Sequence, residues 1–135
     1  MSLSTLDHCS IRTVKLDETR DFYVDLLGMI DGDRPDFDFP GNWLYVDPDD
    51  PSGLIEYLGG DIDAAKLDGS GGSGAFDHVA FRAKNPEMLM AKLEAKRVRY
   101  RERKVPDLDL FQIFIEDPNG ITVELNYFAN DEMAA

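Results

Sequence analysis

The chain has a single cysteine among its 135 residues, which excludes an internal disulfide and suits a reducing compartment. No apolar run approaches the roughly 20 residues that a membrane helix needs. The opening stretch, MSLSTLDHCSIRTVK, lacks the basic start and apolar block of a secretory signal. The cytoplasm is therefore the expected location. Basic residues are few, with 14 Lys and Arg against 27 Asp and Glu and a formal net charge of −13. A surface of that sign repels polyanions, so nucleic acid is not an expected partner, and the lack of a long apolar run leaves a membrane unexpected too. The imbalance is uneven: residues 1–70 hold 16 acids against 5 bases, and residues 71–135 hold 11 against 9. It reads as a solubilising surface rather than an acidic tail.

What is present is ordinary for one globular domain: 43% hydrophobic and 30% charged residues, enough for a single core. The clearest interruption is DGSGGSG at residues 68–74, whose glycines and serines hold neither a helix nor a strand. It separates a first piece, 1–67, from a second, 75–128, with 129–135 left as a tail. The two pieces read alike. In the first, a strand over 6–13 precedes a helix in LDETRDFYVDLLGM, where Asp17 is the expected cap and Gly28 the stop. Phe22 and Leu26 share a face of that helix. Short β-like runs follow in MIDGDRPDFDF, NWLYV and GLIEYL. In the second, a strand over 76–82 precedes KNPEMLMAKLEAKRV, with Asn85 as cap, Pro86 at the first helical position, and Leu89 and Leu93 on one face. Strands are then expected over 97–103, 110–116 and 121–127, the last two joined by the turn DPNG. Each half reads β-α-β-β-β, an internal duplication.

Strand alternation sorts the polar residues. His8, Ser10 and Arg12 share one face against Cys9 and Ile11. His78, Ala80 and Arg82 share one against Val79 and Phe81. Glu56 stands between Leu54 and Leu58, opposite in direction to Ile55 and Tyr57, and could face solvent on an edge strand. Glu124 shares a face with Thr122 and Asn126. His8 and Glu56 are 48 residues apart, and His78 and Glu124 are 46 apart. Each half thus offers a histidine on its first strand and a glutamate on its fourth. Two imidazoles and two carboxylates make a divalent-metal site whose charges balance. Cys9 reads as a small buried hydrophobe. Arg97, Arg99, Arg101 and Arg103 read as a solvated edge that discourages aggregation.

The motifs LDHCSIR, LIEYL, FDHVAFR and FIEDPNGITVEL resemble, over nearly the whole chain, the vicinal oxygen chelate superfamily. That group includes glyoxalase I, bleomycin and fosfomycin resistance proteins, methylmalonyl-CoA epimerase and extradiol dioxygenases. The resemblance implies an α+β fold, with two βαβββ modules forming a cupped mixed sheet. By position it implies His8, Glu56, His78 and Glu124 as ligands of one divalent metal per site (Zn, Ni, Fe, Mn or Co). It also implies a homodimer that acts on a small-molecule substrate. Glu124 or Glu56 would serve as the catalytic proton carrier. Arg12 and Arg82 are candidates for holding an anionic substrate, and Trp43, Tyr45, Gln112, Phe114 and Asn126 for lining the cup.

The expected activity is a glyoxalase-I-like lyase or isomerase. Two alternatives stand beside it: an iron-dependent dioxygenase, and a metal-free ligand-binding resistance protein. Ring cleavage of the extradiol kind is disfavoured, because Phe114 occupies the place of that group's tyrosine and no histidine follows His78.

Overall fold

The structure, a computed structural model, describes residues 2, 6–38, 40–50 and 76–129, together with the backbone of 54–58. The chain divides into two compact units, residues 1–70 and 71–135. The Gly/Ser connector lies outside the described residues.

The first unit runs β1 (His8–Arg12), α1 (Leu16–Asp21), β2 (Ile30–Asp31), β3 (Gly41–Tyr45) and β4 (Leu54–Leu58). Its sheet has the order β1-β4-β3-β2, with β1 and β4 parallel and the other pairs antiparallel. Strand β4 is therefore internal, which corrects the alternative that put Glu56 on an edge. Ile11 of β1 is buried while His8, Ser10 and Arg12 are exposed, as alternation requires.

Helix α1 does not begin as expected. Lys15 occupies the cap position and no side chain caps the helix; Asp17 and Glu18 lie in its first turn, where the helix dipole favours acids. The entry is held instead by Thr13, whose hydroxyl accepts from Lys15 N at 2.8 Å. Thr13 Oγ1 also lies 3.5 Å from Thr19 Oγ1, and both threonines are fully buried. The helix then widens into one π turn, Phe22–Leu26, closed by Leu27 N donating to Phe22 O at 3.3 Å. The wider turn directs Tyr23 and Leu26 into the core and leaves Phe22 half-buried, its ring edge-on to Tyr23 at 5.0 Å. The expected pairing of Phe22 with Leu26 assumed α spacing. Gly28, at φ 79, ends the element as expected, and Met29 N donates to Tyr23 O at 2.9 Å.

The second unit runs β5 (His78–Arg82), α2 (Pro86–Ala95), β6 (Arg101–Val105), a short 3-10 turn (Pro106–Leu108), β7 (Leu110–Glu116) and β8 (Thr122–Phe128). Its sheet order, β5-β8-β7-β6, repeats the first. Asn85 caps α2 through Oδ1, which accepts from Met88 N at 3.3 Å, and Pro86 follows. Leu89 and Leu93 are buried, as are Ile113, Val123 and Leu125 of the sheet. Each such burial stabilises by about 1.5–3 kcal/mol relative to exposure. The DPNG turn forms around Asp117, whose buried carboxylate accepts from Asn119 N at 2.8 Å and Ile121 N at 2.9 Å.

The strand expected over 97–103 starts later, at Arg101. Arg97 adopts φ 56 past the helix end, and Val98 N donates to Leu93 O at 2.9 Å. That left-handed closure turns the chain before it can extend. Arg101 and Arg103 share a face of β6; Arg97 and Arg99 are not part of the strand.

Candidate functional site

Register places the four suspected ligands equivalently. In the first unit His8 pairs with Leu54 and Ser10 with Glu56; in the second His78 pairs with Thr122 and Ala80 with Glu124. Each glutamate therefore sits one same-face step along its strand from the level of its histidine. The Glu56 side chain lies outside the described residues, so the second unit carries the detailed geometry.

There the side chains form a continuous row across β5, β8 and β7. His78 Nδ1 donates to Asp77 Oδ2 at 2.7 Å. His78 Nε2 lies 3.8 Å from Glu124 Oε1. Glu124 Oε2 accepts from Asn126 Nδ2 at 2.9 Å, and Asn126 Oδ1 accepts from Gln112 Nε2 at 3.0 Å. Exposure falls along the row, from 42% for the His78 side chain to 14% for Glu124. The hydrogen bond to Asp77 raises the His78 pKa above the ordinary histidine value against partial desolvation, and the nearby charge of Glu124 adds to that. In the first unit His8 Nδ1 donates to Asp7 Oδ2 at 2.6 Å, so both histidines are oriented by the aspartate before them.

A cation can be tested against this geometry. Tetrahedral zinc bonds of about 2.0–2.2 Å to nitrogen and oxygen put two ligand atoms about 3.3–3.6 Å apart. His78 Nε2 and Glu124 Oε1 are within a few tenths of an ångström of that separation. The Asp77 contact is the kind of outer carboxylate that fixes a metal-binding imidazole. The separation of the pair is compatible with two ligand atoms of one metal ion. Among the described residues no group of three His, Cys, Asp or Glu stands ready to hold a metal.

The remaining suspected residues divide. Gln112 and Asn126 belong to the row. Phe114 pairs with Glu124 across β7 and β8, and the Arg101 guanidinium lies 4.7 Å over its ring. Arg82 is exposed on the face of His78, its guanidinium 4.1 Å over Phe128. Arg12 is exposed on the face of His8. Trp43 pairs with Glu56 across β3 and β4, its ring 6.2 Å from Phe37 and its buried Nε1 without a hydrogen-bond partner among the described residues. Tyr45 donates its hydroxyl to Asp33 O at 2.7 Å, a contact that ties β3 to the segment after β2. Cys9 is half-buried, and burial pushes its thiol pKa up, which suits packing better than nucleophilic work. The roles of Asp7 and Asp77 were missed in the sequence, although an aspartate precedes each histidine.

Residues 5–125 match the family described as Glyoxalase/Bleomycin resistance protein/Dioxygenase superfamily. A similar protein, Glyoxylase I 4 from Arabidopsis thaliana, is 27% identical over 93% of this chain and 71% of its own length. Two solved structures share the fold. The genomically encoded fosfomycin resistance protein FosX from Listeria monocytogenes has a TM-score of 0.69 at 16% identity, covering 96% of this chain and 97% of its own. An antibiotic binding protein from a Streptomyces species has a TM-score of 0.67 at 19% identity, covering 96% and 99%.

Proposed function

The chain belongs to the Glyoxalase/Bleomycin resistance protein/Dioxygenase superfamily, and from that premise we propose that it is a divalent-metal-dependent enzyme of the glyoxalase I type. Its substrate is a small molecule with oxygens on adjacent carbons. The observation that carries this is the His78–Glu124 pair, 3.8 Å apart, with Asp77 anchoring the far side of the imidazole. The similarity to Glyoxylase I 4 points the same way.

His78 and Glu124 are the proposed ligands from the second unit, and His8 and Glu56, by equivalent register, from the first. A bound Zn, Ni, Fe, Mn or Co ion supplies Lewis acidity toward the adjacent oxygens. Asp77 holds the His78 ring in the tautomer that leaves Nε2 free to ligate. A carboxylate, Glu56 or Glu124, takes a proton from the carbon beside a carbonyl and returns it to the neighbouring carbon, ending as it began. Arg12 and Arg82, on the histidine faces, hold an anionic group of the substrate. The proposed assembly is a homodimer, which the mass of the protein in solution tests.

A second reading, sequestration of a ligand without metal, draws support from Trp43: its buried Nε1, without a hydrogen-bond partner among the described residues, lies beside Phe37 and suits a flat acceptor-bearing ligand. The experiment is a screen of tag-free protein against methylglyoxal hemithioacetal, catechols and epoxides. Isomerisation of the hemithioacetal that EDTA abolishes and one divalent metal restores is the expected result. Tight ligand binding indifferent to EDTA, with no turnover, favours sequestration.

A further inference from the structure

The row from Glu124 to Gln112 has a polarity that chemistry dictates. A carboxylate oxygen only accepts, so Asn126 must turn Nδ2 toward Glu124 Oε2, 2.9 Å away. That turns Asn126 Oδ1 toward β7, where only a donor fits, and Gln112 Nε2 meets it at 3.0 Å. What is left over is Gln112 Oε1, buried and without a hydrogen-bond partner among the described residues. Gln112 is 8% exposed, between Phe111 and Ile113. A buried amide with one end unsatisfied weakens a fold, and an apolar residue there would serve stability better. Conflicts of this kind concentrate at functional positions.

The conflict has a visible product. With Oε2 occupied, the Glu124 carboxylate is fixed in rotation, and Oε1 is the oxygen turned toward His78 Nε2. We propose that Asn126 and Gln112 are positioning residues: by holding Oε2 they present Oε1 of Glu124 as a single-oxygen ligand beside His78. This rests on the metal-dependent reading above. The first unit offers a built-in contrast, because the register positions of Asn126 and Gln112 are filled there by Leu58 and Gly41. Neither residue has a side-chain donor, so no amide pair stands at those two register positions of the first unit. The strand register is the same in both units, and the residue types at these two positions differ.

The test is the Co²⁺ dissociation constant, measured by competition with a chromophoric chelator, for the wild type and for Asn126→Leu, Gln112→Leu, Glu124→Gln and the double variant Asn126→Leu/Glu124→Gln. Asn126→Leu weakens Co²⁺ by about 10–100-fold, as loss of an outer-shell partner does, and changes the visible Co²⁺ spectrum. Gln112→Leu does the same to a smaller extent. In the Glu124→Gln background Asn126→Leu has no further effect, because it acts through Glu124. Equal loss in both backgrounds, or no loss in either, overturns the proposal alone. A wild type that binds no Co²⁺ overturns the metal reading and the proposal with it. If Asn126→Leu does not fold, NMR exchange of the Asn126 side-chain amide protons in the metal-free wild type decides. Slow exchange that Gln112→Leu accelerates supports the relay, and exchange at the rate of a free amide overturns it.

Discussion

Two residues beyond its strand glutamate the second unit places Asn126, with Gln112 across from it on β7; at the same register the first unit places Leu58 and Gly41. The sheets otherwise correspond strand for strand, down to the aspartate that donates no proton but orients each histidine. The lesson concerns what a duplicated fold preserves. Topology and the histidine and glutamate positions follow from strand order and alternation, which both halves keep. The setting of each of these side chains depends on neighbours that backbone geometry leaves free to differ. The helices differ likewise: α2 has an asparagine cap, and α1 is entered through a buried threonine pair.

The sharpest way to break this comparison is to neutralise each glutamate. In Glu56→Gln or Glu124→Gln, whichever carries the proton, turnover falls by about 10²–10⁴-fold, measured on the substrate the screen identifies. Full activity in both variants removes the base from the account. The next largest effect is on packing. Leu44→Ala in the first unit and Ile113→Ala in the second each empty a fully buried site. Each should cost about 2–5 kcal/mol in urea unfolding; a negligible loss in only one would mean that the two cores are not equivalent.

Much of this plan was legible beforehand. The β-α-β-β-β order, the DPNG turn, the Asn85–Pro86 start and the histidine and glutamate positions all rest on local signals, and each has a local cause: alternation, capping, turn chemistry. The misses have non-local causes. The π turn places Tyr23 in the core, and no periodicity announces it. Asp17 yielded the helix start to Thr13 and Thr19, whose partnership spans six residues and needs burial to matter. The alternating arginines suggested a strand over 97–103, but the left-handed Arg97 belongs to the helix stop. Gln112 and Asn126 read as cup-lining residues in sequence, since only the β7–β8 register reveals that they meet each other and Glu124.

Smaller effects refine the contrast between the helices. Asn85→Ala removes a cap and should lower stability by about 1 kcal/mol, seen as a reduced melting temperature. The smallest effect is a titration. Asp77→Asn removes the main cause of the raised His78 pKa, so NMR should find His78 titrating lower in that variant of the metal-free protein. The sign follows from the raised value: protonated His78 stabilises the fold at pH below its unfolded pKa, and that contribution fades as pH rises through the folded value. An unchanged His78 titration in Asp77→Asn would show that another group holds the proton.

The most direct measurement is the metal content of tag-free protein after reloading with Zn, Ni, Co, Mn and Fe(II) in turn. The account predicts about one equivalent of at least one of these per site, and its loss in His78→Ala. Less than about a tenth of an equivalent of every metal in the wild type would contradict it.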